Sequence, residues 1–160
     1  MGIPVVKLRQ NLTEDRVEQL YQAAPIAVPP SATIRDALAC MKNAGHGYVL
    51  ICDGGRLRGI FTERDVLKRV HAAGADLNAC VEAYMTPDPV TTTAHESVGE
   101  LLRKMLGGGY RHVPMVEEDG TPVGVVGVRA IIHYLVQHFP DTVYNLPPDP
   151  GQVQHTREGA

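Results

Sequence analysis

Gly59-Ile60-Phe61-Thr62-Glu63-Arg64-Asp65 brings a hydroxyl, a guanidinium and a carboxylate together where an apolar strand hands over to a helix. A helix N-terminus offers unpaired N–H groups and the positive end of the dipole, which suit a phosphate or a sugar oxygen. Gly59 permits close backbone approach. Thr62 adds a hydroxyl, Arg64 a fixed positive charge, and Asp65 an acceptor suited to a ribose diol. A charge-assisted hydrogen bond of that kind contributes about 1.5–3 kcal/mol. The same residues also read as a helix cap, with Thr62 accepting from a backbone N–H and Asp65 reaching back. Neither reading is catalytic. No nucleophile–base pair and no paired carboxylates stand out, and Thr62 and Asp65 are better placed to hold a molecule than to react with it.

The elements that must position these groups are written twice. Ile26-Ala27-Val28 through Thr33-Ile34 lies opposite Val90-Thr91-Thr92 through Ser97-Val98, and Ala37, Leu38 and Met41 lie opposite Leu101, Leu102 and Met105. Val49 to Cys52 then matches Val113 to Val116, and Gly59 to Asp65 matches Gly124 to Ala130. A unit repeated in this way buries its apolar face against its twin. Thr62 and Asp65 become Gly127 and Ala130, so the second copy starts an equivalent helix without those side chains. The architecture is duplicated; the polar site is not.

Each copy reads strand–helix–strand–strand–helix. Ile34, Ala37, Leu38 and Met41 fall at i, i+3, i+4 and i+7, with Thr33 as N-cap and Gly45 just past the end. Tyr48 to Cys52 reads as a buried strand, Asp53-Gly54-Gly55 as a turn, Leu57 to Phe61 as the returning strand, and Val66, Leu67 and Val70 as a helical stripe. The second copy repeats this with Val98 to Met105, Gly107-Gly108-Gly109, Tyr110 to Val116, Asp119-Gly120, Val123 to Val126, and Ile131, Ile132, Leu135 and Val136. Pro140 blocks further helix. The expected division is 1–24 as a helical extension, 25–74 and 83–140 as the repeats, 75–82 as linker and 141–160 as an irregular or disordered tail. Within the extension Thr13 is expected to cap a helix with Val17, Leu20 and Tyr21 on one face.

Composition narrows the function. A chain of 160 residues with 44% hydrophobic content can bury a substantial core. A net charge of −3, no long basic run and no Trp argue against nucleic acid as a partner. No apolar stretch approaches a membrane span and no signal sequence is evident, so a cytoplasmic, non-membrane protein is expected. Cys40, Cys52 and Cys80 read as buried, reduced thiols. Gly107-Gly108-Gly109 lacks the Lys and hydroxyl of a phosphate-cradling loop and reads as a helix end. His133 and His138 have the wrong spacing for a shared zinc face, while His46, His71, His95 and His155 read as loop or surface residues.

The doubled unit, the linker Tyr84-Met85-Thr86-Pro87-Asp88-Pro89-Val90, the Tyr110-Arg111-His112-Val113-Pro114-Met115-Val116 strand and the Gly59-to-Asp65 ending together resemble a tandem pair of CBS domains, a Bateman module. The resemblance covers roughly Pro25 to Phe139. It implies an α/β (α+β) fold of two pseudo-symmetric β-α-β-β-α repeats packed sheet to sheet, with a cleft on either side of the pseudo-dyad. It also implies a non-catalytic module that senses an adenosine-containing ligand: AMP, ADP, ATP or S-adenosylmethionine. No cofactor is required. Carried over, Asp65 would hold the ribose hydroxyls, with Thr62 and Arg64 toward ribose or phosphate and Ile60 against the base. Thr86 and Val90 would lie near the purine. Tyr110 and Arg111 would line the cleft, Arg111 toward phosphate, with His112 beside it. Gly127 and Ala130 cannot fill the polar roles in the other cleft, so one competent site per chain is expected. The resemblance further implies a homodimer through the helices at Val66–Val70 and Ile131–Phe139, read out by an effector protein on another chain. A structural or protein-interaction role without ligand is the alternative.

Overall fold

Two hairpins carry the fold, each with a helix or helical turn before and after it. The computed structural model describes residues 3–138, with side chains from residue 6 onward. In chain order the elements are α1 (Ile3–Glu14), β1 (Ala27–Val28), α2 (Ile34–Ala44), β2 (Tyr48–Asp53), β3 (Arg56–Thr62), α3 (Glu63–Asp65), β4 (Thr86–Pro87), α4 (Val98–Gly108), β5 (His112–Val116), β6 (Pro122–Gly127) and α5 (Val128–His138). Helix α3 runs directly into a π-helical segment, Val66–His71.

The run Tyr48-Val49-Leu50-Ile51 has no polar face because both sides of β2 are covered. Successive side chains alternate across the strand. Val49 and Ile51, with Phe61 of β3, enter a core closed by Ile34, Ala37 and Met41 of α2. Tyr48 and Leu50, with Ile60 of β3, point the other way and meet Val125 of β6. In the second half Val113, Met115 and Val126 pack under Val98, Leu101 and Met105 of α4 and Ile131 and Tyr134 of α5. The result is two helix-covered sheets facing each other, the arrangement that the family resemblance implies.

Local chemistry is duplicated along with the pattern. Thr33 accepts from Asp36 N–H at 3.0 Å to start α2, and Ser97 accepts from Glu100 N–H at 3.1 Å to start α4. Each helix ends on a left-handed glycine, Gly45 (φ 69°) and Gly109 (φ 68°), where a side chain would be strained. Gly54 and Gly55 (φ 59° and 80°) make the β2–β3 turn.

The sheets are completed by exchange. The first has the order β1-β2-β3-β4, and β4 comes from the segment leading into the second repeat. On the β5–β6 pair, Thr92 bridges Met115 in parallel, while Ala23, from the segment leading into the first repeat, bridges Val125. Within the N-terminal extension, Val17 and Leu20 are buried in the core of the second half, and Val17 N–H donates to the Glu96 carbonyl at 2.9 Å.

Several expectations need correction. Thr13 does not open a helix: α1 spans Ile3–Glu14, and the Thr13 hydroxyl donates back to the Arg9 carbonyl at 3.0 Å. The chain must leave the helix there, because Asp15 and Arg16 are drawn onto the start of α4. The Asp15 carbonyl accepts from Val98 N–H at 2.9 Å, and Arg16 bridges Ser97. Val17–Gln19 then forms one 3₁₀ turn, and Tyr21 is exposed. The helical stripes are not wholly inward: Leu67 is 66% and Ile132 55% exposed, and Tyr134 is the buried residue one turn beyond Ala130. Cys40 and Cys52 are half-buried rather than buried. Cys80 is exposed, in a segment bonded to the residues that start α2, and none of the three cysteines is in a disulfide. The expected tail and His155 lie outside the described residues.

Gly59 marks where the exchange is tightest. A Cβ there would come within 2.4 Å of Met85 Sδ and 2.9 Å of the Thr86 carbonyl oxygen. Gly59→Ala is expected to destabilise the fold by about 1–3 kcal/mol by prising β4 from β3. Gly107→Ala, with nothing within 4 Å of the new carbon, is expected to leave stability unchanged or raise it slightly. Urea midpoints of the two variants check both.

Candidate ligand-binding cleft

At the end of β3 the chain turns directly into α3, and Glu63 N–H is tied to the Gly47 carbonyl at 3.1 Å. Thr62 and Asp65 cap this turn reciprocally. Thr62 N–H and the Thr62 hydroxyl donate to Asp65 Oδ2 at 2.9 and 3.1 Å, and Asp65 N–H donates to Thr62 Oγ1 at 3.4 Å. Asp65 is only 5% exposed, so its charge needs further partners. The Thr86 hydroxyl donates to Oδ1 at 3.0 Å, and Arg69 Nε lies 3.5 Å from the same oxygen. The carboxylate thus accepts three hydrogen bonds from the protein's own donors and is ion-paired with a guanidinium.

These groups form one wall of a cleft of about 600 Å³. Ile60, Thr62, Arg64 and Asp65 line it from β3 and α3, and Thr86 and Val90 from β4 and the loop after it. Tyr110, Arg111 and His112 line it from the turn into β5. All nine residues singled out in the sequence thus face one space between the halves. Lys68 and Asp88 also line it and were missed. Lys68 lies four residues after Arg64, hence on the same helical side, a spacing that could have found it. Asp88 has φ 44°, a left-handed conformation that Asp tolerates better than most residues, and only the loop geometry reveals it.

The other side of the pseudo-dyad is different. Helix α5 begins with Val128 N–H donating to the Arg111 carbonyl at 2.9 Å, the same backbone tie that starts α3. Gly127 and Ala130 bring no side-chain acceptor, and Ala130 is packed in the core. Tyr48 and His112 hold equivalent places in the two copies, and their rings meet across the dyad at 5.1 Å. The Tyr48 hydroxyl donates to the Ala24 carbonyl at 2.5 Å. Ala24 corresponds to Asp88, so Tyr48 spans the space that His112 leaves open on the first side. Burial, with a smaller contribution from Tyr21, pushes the Tyr48 phenol up to about 12, and it remains a neutral donor.

His112 carries the electrostatic signature of the cleft. Burial pushes its imidazole below the ordinary value of 6.5; Glu63 opposes this, while Arg111 and His46 add to it. The neutral ring is therefore favoured in the folded state. The unfolded chain takes up a proton more readily as pH falls below about 6.5. The stability tied to neutral His112 is present above that value and is lost as pH falls through the depressed folded pKa. His112→Gln is expected to flatten the decline in urea midpoint between about pH 6.5 and 5 relative to the wild type. Parallel unfolding curves across that range check the sign.

Comparison with known proteins places this geometry. The CBS domain matches twice, over residues 17–72 and 81–137. A 17.7 kDa protein from the bps2 3′ region of Acidianus ambivalens is 34% identical over 122 residues, covering 76% of this chain and 73% of that one. The solved CBS-domain protein ATU1752 from Agrobacterium tumefaciens is similar at 30% identity and a TM-score of 0.67, over 74% of this chain and 98% of that one. PAE2072 from Pyrobaculum aerophilum, a CBS domain protein solved in complex with AMP, matches at 27% identity and a TM-score of 0.67, over 76% and 98%. With two matched repeats, two facing sheets and a cleft between them, the chain belongs to the CBS-domain family as a tandem pair.

Proposed function

We propose that the chain is a non-catalytic regulatory module that senses an adenosine-containing ligand in the cleft lined by Asp65 and Arg111. The observation that carries this reading is the lopsided dyad. One side keeps a buried carboxylate and hydroxyls facing Arg64, Lys68 and Arg111; the other has Gly127, Ala130 and a Tyr48 bonded across it. The AMP bound by PAE2072 supports the ligand class. ADP, ATP and S-adenosylmethionine belong to the same class, and the cations favour its phosphorylated members.

In this reading the ribose diol takes over positions on Asp65 now held by the Thr62 and Thr86 hydroxyls. Either hydroxyl can rotate away, so the exchange needs no backbone rupture. Ile60 and Val90 offer the base an apolar seat, and the cationic side chains face the phosphate. Because Thr86 belongs to the segment leading into the second repeat, an altered bond to Asp65 shifts one half against the other. A separate effector chain reads that shift. Homodimerisation runs through Leu67 and Ile132, exposed apolar side chains at equivalent places in the two repeats. No described helix is long and apolar enough to cross a membrane.

A purely structural reading has one observation in its favour: Asp65 already caps its helix. The two readings separate by titration. Wild type at about a hundredfold the dissociation constant of AMP is expected to gain about 2.7 kcal/mol, a rise of roughly 5–10 °C in melting temperature. Asp65→Asn is expected to weaken AMP by at least about tenfold in calorimetric titration. Asp65→Asn with unaltered AMP affinity moves the site elsewhere, and a wild type that ignores every adenosine compound leaves the cap as its role.

A further inference from the structure

Arg69 stands outside the cleft wall, yet it is bonded to both elements that meet there. Its Nε lies 3.5 Å from Asp65 Oδ1, and a terminal guanidinium nitrogen donates to the Met85 carbonyl at 2.5 Å. Met85 is buried and immediately precedes Thr86, whose hydroxyl donates to that same Oδ1. The four residues therefore close a ring: acid to guanidinium, guanidinium to backbone, backbone to hydroxyl, and hydroxyl back to acid.

Two further observations separate this ring from ordinary surface pairing. In the second repeat the counterparts of Asp65 and Arg69 are Ala130 and Tyr134, and the Tyr134 hydroxyl turns away to donate to Asp15. Acid and guanidinium are absent together. The helix carrying Arg69 is also π-helical over Val66–His71, whereas its counterpart α5 is α-helical throughout. Such widened turns concentrate at functional sites.

We propose that Arg69 is a positioning residue for the ribose subsite. This rests on the reading of the cleft as an adenosine site. Thr62 N–H fixes Oδ2 and the guanidinium fixes Oδ1, so the plane of the carboxylate is set before any ligand arrives. A diol replacing the Thr86 hydroxyl then meets an acceptor already aimed at it, and the ordering cost of binding falls. Without Arg69, Oδ1 keeps only the Thr86 hydroxyl, the donor that a diol displaces, so no group of the protein holds that oxygen in place while the ligand enters. The guanidinium side of the pair is nearly half exposed, so its contribution to folding is small. Its effect falls on recognition of the diol.

The test uses the full chain as wild type, Arg69→Met and Arg69→Lys. Each is titrated by NMR with AMP and with 2′,3′-dideoxyadenosine 5′-monophosphate, which lacks the diol. Arg69→Met is expected to weaken AMP roughly tenfold while leaving the dideoxy probe unchanged, so discrimination between the two is lost. Arg69→Lys, which keeps the charge but not the fork, is expected to fall between, and it carries the comparison if the Met variant does not fold. Equal weakening of both probes, or undiminished AMP binding, overturns the role of Arg69 while leaving the adenosine reading intact. If AMP does not bind, ATP and its 2′,3′-dideoxy analogue take its place in the same comparison; a wild type that binds no adenosine compound overturns both.

Discussion

A carboxylate that is 5% exposed cannot remain charged inside a protein unless its surroundings are arranged for it. Around Asp65 that arrangement reaches well beyond one helix turn. Its donors come from the residue that ends β3, from the next turn of its own helix, and from β4, which leads into the other repeat. The acid thus fixes where a helix starts, how the linker crosses β3 and which way the Thr86 hydroxyl faces. A cap, a sheet junction and a cleft wall share one anion. The capping and binding readings therefore describe two occupants of the same acceptor positions: the chain's own hydroxyls, and the hydroxyls of a sugar.

The pseudo-dyad passes close to the Tyr48–His112 contact, and what stands there decides the character of each side. Duplication makes two equivalent places beside a shared seam, and different side chains then make them unequal. Tyr48 is long enough to reach the Ala24 carbonyl, whereas His112 leaves its side open to Arg111 and Asp88. The backbone is indifferent to this choice. Both following helices begin with an N–H held by a carbonyl just before the first strand of the hairpin, Gly47 in one copy and Arg111 in the other.

Much of this was legible in the residues because period and punctuation agreed. Apolar spacing in α2 and α4, with Thr33 and Gly45 bounding the first and the Gly107-to-Gly109 run closing the second, pointed to within two residues of the boundaries that the structure has. Of the nine cleft residues, Thr62, Arg64 and Asp65 stood out once the two copies were laid side by side, and the other six came only from the resemblance to CBS pairs. What stayed hidden depends on contacts distant in sequence. Thr13 has the chemistry of a cap, but Asp15 and Arg16 are claimed by α4. Val17 and Leu20 look like one face of a local helix and serve the core of the second half. Arg69 is an unremarked cation until Met85 is seen beside it. Only folding tells which side of the chain becomes outside, and Cys80 and Leu67 ended there.

The swapped edges have a consequence for how the molecule comes into being. Ala23 finds its partner at Val125, near the far end of the described chain, and Val17 has no core to enter until α4 exists. During synthesis the first helix and the segment after it must therefore wait, exposed, until α4 and β6 have been made. Neither half is a self-sufficient unit that could be cut out intact: each would lack the border its neighbour's lead-in supplies. Closing contacts of such long sequence separation is slow, and the waiting segment is the part most open to proteases or chaperones in the interval.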